Sequence, residues 1–251
     1  SNAGHMSGVT RISTSAVLPT CSVGFMGKAW YAVRGKYHRR MGLLGLFVLA
    51  LMIWLVAGVW SLLRLARRPP SGAAATALAS GAPIDLESAG LDGEIWMLQA
   101  SDGVDLPVYD IQGAGEDPIV LVFHDWGEAP LTMFDRASEL AKTAQRVVLP
   151  TLRAHDAAGG RCTLGSREIT DGETLLDTLD QNGVVLEGRG LGGRIARALR
   201  DHQRVVTARV EDPWIDRRDG LRRILARQGM PAVPIASLAG WVWPERRERR
   251  R

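Results

Sequence analysis

From Met41 to Leu63 the chain reads MGLLGLFVLALMIWLVAGVWSLL, 23 residues without a charge. As a helix this run is about 34 Å long at 1.5 Å per residue, enough to cross a hydrocarbon core of about 30 Å. A core helix of a soluble domain keeps a polar face, and this run has none. A cleaved leader has a shorter apolar stretch and a shorter lead-in than the residues before Met41. The expectation is therefore one retained transmembrane helix over residues 41–63, in contact with the lipid bilayer. Trp54 and Trp60 lie in its second half, toward the interface that indole rings favour. Lys28, Arg34, Lys36, Arg39 and Arg40 precede the span, against Arg64, Arg67 and Arg68 after it. That excess places the N-terminus on the cytoplasmic side and the C-terminal part outside the cytoplasm.

The remaining chain divides by composition. Residues 1–6 read as the remnant of an expression tag, residues 7–40 as a basic, largely flexible tail, and residues 64–91 as a linker of Pro, Gly, Ser and Ala. Ala77-Leu78-Ala79-Ser80 looks like a signal-peptidase site but lies too far from the apolar run. The folded part is residues 92–244, followed by an Arg-rich tail at 245–251. Residues 84–188 hold 20 acidic against 6 basic side chains. A nucleic-acid binder does not concentrate acid in the middle of its domain, so no nucleic-acid partner is expected. Cys21 and Cys162 are too few for a disulfide framework or a cysteine-built zinc site.

From residue 92, strands alternate with helices. Strands are expected at 94–98, 106–109, 119–123, 146–150, 184–186, 205–210 and 233–238. Helices are expected at 131–143, 171–180 with Thr170 as a cap, 192–199 and 217–228. The unbroken apolar run Ile119–Phe123 marks a strand covered on both faces. This order predicts an α/β fold with a doubly wound, mostly parallel sheet.

Five segments resemble the α/β-hydrolase family in order. SDGVDLPVYD at 101–110 is similar to its first hairpin, and PIVLVFHDWGEAP at 118–130 to its oxyanion strand and loop. RVVLPTLRAHDAAGG at 146–160, VVLEGRGLGGRIARAL at 184–199 and VPIASLAGWVWP at 233–244 resemble the later motifs, the last being the strand that leads to the catalytic acid. The resemblance implies a sheet of α/β-hydrolase type preceded by one transmembrane helix. In the family the elbow reads Gly-x-Ser-x-Gly. Here Gly188, Arg189, Gly190, Leu191 and Gly192 stand at those positions, so the nucleophile place is a glycine. Asp125 follows His124 where a glycine is usual, and a carboxylate there repels the oxyanion such a loop stabilises. No carboxylate follows 233–238 before Glu245, and the last histidine is His202, short of the family's general base.

These absences predict a chain that is no enzyme: a catalytically inactive, C-terminally truncated member serving as a scaffold, assembly or accessory subunit of a membrane complex. Its partners would be other subunits, bound at an open sheet edge near Trp241 and Trp243. His124 with Asp125 and His155 with Asp156 sit on loops at strand ends, but neighbouring loop residues rarely aim at one ion, and no metal is expected. Cys162 and Ser166 have no evident base beside them. No cofactor is expected. The alternatives are an atypical hydrolase, or a dinucleotide-binding regulator using Gly188, Gly190 and Gly193 as G-x-G-x-x-G with Glu211 at the end of the next strand. The helix at 217–228 reads as a surface helix covering the sheet, with contact to anionic lipid headgroups or an acidic partner as the alternative.

Overall fold

The computed structural model describes residues 24–70, 72–180 and 183–243. The expected tag remnant, residues 7–23 of the expected tail, and Pro244 with the Arg-rich segment after it lie outside the described residues. Two compact units divide the chain, one closing at Ile53 and one opening at Trp54.

Helix α1 is Gly24–Arg67. It starts well before Met41, which corrects the expectation of a flexible tail up to residue 40. Residues 24–40 contain no proline, so nothing interrupts the helix that the apolar run propagates. Arg68-Pro69-Pro70 ends it, because proline disfavours the helical conformation in the residue before it. Gly42–Arg67 is long and apolar enough to cross a membrane, with a mean hydropathy of 2.6. A short helix α2 (Ala73–Ser80) occupies part of the expected linker, closed by Gly81 at φ 72°.

The sheet contains β1 (Gly93–Gln99), β2 (Asp105–Gln112), β3 (Val120–Phe123), β4 (Arg146–Pro150), β5 (Val184–Arg189) and β6 (Val205–Glu211), in the order β1-β2-β4-β3-β5-β6. β1 and β2 form an antiparallel hairpin, and β2 runs antiparallel to β4. β4, β3, β5 and β6 are parallel. The period of two along the strands sorts the side chains between two cores. Leu121, Phe123, Val148, Leu186 and Val184 face one layer. α4 (Ser166–Thr178), α5 (Gly190–Leu199) and α6 (Arg217–Arg227) cover that layer, with Leu175, Leu176, Ile195, Leu221 and Ile224 buried in it. Val120, Val122, Val147, Leu149 and Val185 face the other, under α3 (Phe134–Ala141), whose Phe134, Ala137 and Leu140 recur at helical spacing. A 3-10 turn, Pro130–Met133, precedes α3.

The largest departure is at the C-terminal end. Residues 233–238 are no strand. A cis Val233–Pro234 peptide leads into helix α7 (Ile235–Val242). Ile235, Ala236, Ala239 and Gly240 are buried, at intervals that fit a helix face. A short apolar run reads equally well as strand or buried helix, which is why the sequence misleads here. Trp241 and Trp243 therefore do not lie on an edge strand. Trp241 is exposed, and the Trp243 ring sits 4.9 Å from the Arg67 guanidinium and 5.1 Å from that of Arg217. Helix α4 also starts earlier than expected. Glu168 accepts from the Gly165 N–H at 2.9 Å, so the helix opens before Thr170.

The second unit contains the last turns of α1. Leu62 and Ala66 are buried in the first core, and a Cβ at Gly58 would come within 2.9 Å of the Ile235 side chain. The Cys162 N–H donates to the Arg67 carbonyl at 3.0 Å.

Arg153, buried on the loop after β4, holds three segments together. Its guanidinium bonds both oxygens of Asp171 on α4 and both oxygens of Asp102 in the β1–β2 turn, the latter at 2.8 and 2.9 Å. Removing the cation would leave Asp171 buried and unpaired, which costs far more than losing an exposed pair. Arg153→Met is expected to lower the unfolding free energy by roughly 3 kcal/mol. Arg136→Met, at the half-exposed pair with Glu187, is expected to change it by less than about 1 kcal/mol. Denaturant unfolding of both variants in detergent checks the contrast.

Candidate functional site

The site lies where β3 and β5 end side by side, with the loop after β3 facing the turn from β5 into α5. That turn is tight because its glycines allow close approach. A Cβ at Gly188 would sit 2.5 Å from the Gly192 carbonyl carbon, and one at Gly192 would sit 2.1 Å from the Phe123 oxygen. Gly190 takes φ 56°, in the left-handed region that favours glycine.

The space above Gly190 is filled. A Cβ built there would meet Asp125 Oδ1 at 2.0 Å, Cγ at 2.2 Å and Oδ2 at 2.4 Å. The carboxylate thus stands where the elbow residue's side chain would project, supplied by the neighbouring loop. Oδ1 accepts from the backbone N–H of Trp126 at 2.7 Å and of Leu191 at 2.7 Å. In the family that the sequence resembles, the hole for a tetrahedral oxyanion is built from the N–H following the nucleophile and an N–H of the β3 loop. Here a side chain of the protein itself occupies both donors. Oδ2 pairs with Arg227 Nη2, and Arg227 Nη1 donates to the Trp126 carbonyl at 2.7 Å. Charge-assisted bonds of this kind compensate the burial of Asp125.

The loop is fixed from several sides. The Asp125 N–H donates to Glu128 Oε2 at 3.0 Å, and Glu128 Oε1 pairs with Arg189 at 2.5 Å. Trp126 Nε1 donates to the Ala66 carbonyl at 3.3 Å, joining the loop to the end of α1. Beside Asp125 an open cleft of about 350 Å³ runs along β5 and β6, lined by Glu128, Met133, Arg136, Glu187, Arg189 and Arg209.

The histidines stand apart from this carboxylate chemistry. His124 Nε2 accepts from the Leu152 N–H at 3.1 Å, so Nδ1 carries the proton and donates to the Asp125 carbonyl at 2.9 Å. His155 Nδ1 lies 2.8 Å from the Arg153 carbonyl, and its Nε2 is buried without a partner. The two rings meet edge to face at 5.0 Å. Burial, with His155 alongside, lowers the His124 pKa to about 3, and burial lowers that of His155. Both imidazoles are neutral at physiological pH. Asp156 is not drawn to them as a metal partner: no group of three or more His, Cys, Asp or Glu suited to an ion occurs among the described residues. Cys162 is fully buried, and burial holds its thiol well above the usual range. Ser166 Oγ receives Arg217 Nη2.

The glycines of the dinucleotide alternative serve packing. Gly188 and Gly192 let α5 pass close to β3, a Cβ at Gly193 would lie 3.0 Å from the Gly188 oxygen, and Glu211 ends β6 opposite Arg189. A pyrophosphate at this helix end would meet the Asp125 carboxylate already on the Leu191 N–H. Arg227 was missed by sequence reasoning. It lies on an Arg-rich helix 102 residues from its partner, and nothing local to it signals a buried carboxylate.

No family model matches the chain, and no curated protein matches it by sequence. Solved structures do. One is an esterase from Pyrococcus furiosus, 18% identical over 63% of this chain and 65% of that one, with a TM-score of 0.50. A second crystal form of the same esterase gives 19% identity over 70% and 66%, with a TM-score of 0.51. A structure described among epoxide hydrolases from hot-environment metagenomes is 22% identical over 49% and 43%, with a TM-score of 0.43. The chain spans about two thirds or less of the length of each.

These comparisons overturn the expectation of a chain that is no enzyme. The chain shares its fold with a solved esterase. The place above Gly190 is filled by the Asp125 carboxylate.

Two outcomes follow. Gly190→Ser places a side chain in left-handed backbone against Asp125 and drives the carboxylate off its donors, so it is expected to destabilise the domain by about 2 kcal/mol, read as a melting-temperature drop of several degrees. Acid acts through the histidines. Below pH 6.5 the unfolded chain takes up protons that folded His124 refuses until about pH 3. Stability present at neutral pH is then lost as pH falls through that window. Melting curves from pH 7 to 4 are expected to show the decline, with a shallower slope in His124→Gln.

The mostly parallel sheet, its flanking helices and the likeness to solved esterase structures together give this chain the α/β-hydrolase fold.

Proposed function

We propose that the chain is a single-pass, membrane-anchored protein with an atypical hydrolase site whose working group is the Asp125 carboxylate. The observation that carries this reading is the position of that carboxylate above Gly190, in the space of an elbow side chain and beside an open cleft. Oδ2, once Arg227 turns aside, accepts a proton from a water whose oxygen attacks an electrophilic carbon. The new C–O bond forms, the bond to the leaving group breaks, and Asp125 returns the proton to the leaving group. Arg227 then neutralises the carboxylate again. Neither ring nitrogen of His124 is free to replace it as base. The esterase that shares the fold supports an ester or related acyl compound as substrate class. The helix Gly42–Arg67 supports anchoring, and the basic excess before it supports a cytoplasmic N-terminus.

A second reading, assembly with other membrane subunits, draws on β6. It is the last strand of the sheet, and Val206 and Val210 on it are exposed. Val206→Lys with Val210→Lys would then convert a larger detergent-extracted species to monomer in native electrophoresis, and a monomer in the unmodified protein contradicts it.

Full-length protein in detergent, offered nitrophenyl esters of increasing acyl length, tests the first reading. Turnover is expected, with Asp125→Asn about 100-fold slower at temperatures where circular dichroism shows the variant folded. No turnover by the unmodified chain, or equal turnover by the Asn variant, contradicts it.

A further inference from the structure

Where α1 leaves its apolar stretch, a pocket of about 330 Å³ is lined by Trp60, Leu63, Arg64, Arg67, Arg68 and Arg161. Three of these arginines come from the helix end and its first following residue. The fourth comes from a loop nearly a hundred residues on, held in place because the adjacent Cys162 N–H donates to the Arg67 carbonyl at 3.0 Å. Among the described residues no carboxylate pairs with any of the four. Elsewhere the domain pairs its arginines freely, as Arg136, Arg146, Arg153, Arg189, Arg223 and Arg227 do. The Arg64 guanidinium stands 5.5 Å from the exposed Trp60 ring, and Arg67 stacks on Trp243, so both heads are oriented by aromatic faces. The exposed Trp54, Val56 and Trp60 on the same helix offer apolar surface next to the cationic mouth.

We infer that this pocket binds the headgroup of an anionic phospholipid, with its phosphate on Arg64, Arg68 and Arg161 and its acyl chains along the helix at Trp60 and Val56. Guanidinium groups match phosphate oxygens in bidentate geometry. A net negative headgroup is attracted by each arginine near the surface, whereas the cation of a zwitterionic headgroup would face uncompensated positive charge. Indole rings favour the depth at which phosphates lie. The inference rests on the membrane-anchored reading above, and not on any chemistry at Asp125.

The test places full-length protein in nanodiscs of phosphatidylcholine with about one fifth phosphatidylglycerol and measures, by native mass spectrometry, which lipids stay bound on release. Phosphatidylglycerol is expected to be retained about tenfold over its share. The double variant Arg64→Gln, Arg161→Gln is expected to lose that preference, while Arg136→Gln keeps it. Both variants should melt in detergent as the parent does, and inorganic phosphate should not displace the lipid. Retention of both lipids in proportion, preference surviving the double variant, or displacement by inorganic phosphate overturns the lipid site alone. Protein that alkaline carbonate strips from vesicles overturns the anchored reading, and this site with it.

Discussion

Two backbone N–H groups, from Trp126 and Leu191, converge on one carboxylate oxygen, and the arrangement of the whole site follows from it. Those donors can converge only if α5 starts immediately at the end of β5 and the β3 loop folds back over it. That requires the glycine contacts at 188 and 192 and the left-handed backbone at 190. A buried carboxylate requires a cation in turn, which recruits Arg227 from α6. The Arg227 bond to the Trp126 carbonyl then ties the position of α6 to the same loop.

The end of α1 is part of this domain rather than an appendage to it. Ala66 accepts from the Trp126 indole, the residue whose backbone N–H holds Asp125, and Arg67 accepts from the loop that carries Cys162. Helix, oxyanion-type loop and Arg227 form one connected set of hydrogen bonds. Asp125 and the helix end are thus joined through two residues, Ala66 and Trp126.

Much of the fold was legible because period and apolarity are local signals. Ile119–Phe123 reads as a doubly covered strand and Val184–Leu186 as a strand, and both are buried. The glycine pattern 188–193 announced a tight strand-to-helix turn, and its spacing alone located the site. Three features were not legible. IASLAG at 235–240 is too short to separate strand from helix by pattern, and only its burial against the first core decides it. Asp125 read as a group hostile to an oxyanion, because sequence shows residue type but not that the carboxylate itself takes the oxyanion's donors. Arg227 depends on a contact across 102 residues, for which one chain offers no signal.

The claim that Asp125 occupies the two elbow donors is tested most directly by amide hydrogen exchange of the full-length protein, resolved at Trp126 and Leu191. Strong protection of both amides is predicted, falling sharply at these two positions in Asp125→Ala while the sheet amides of β3 and β5 stay protected. Rapid exchange at Trp126 and Leu191 in the unmodified chain, or protection indifferent to the loss of the carboxylate, would contradict the account.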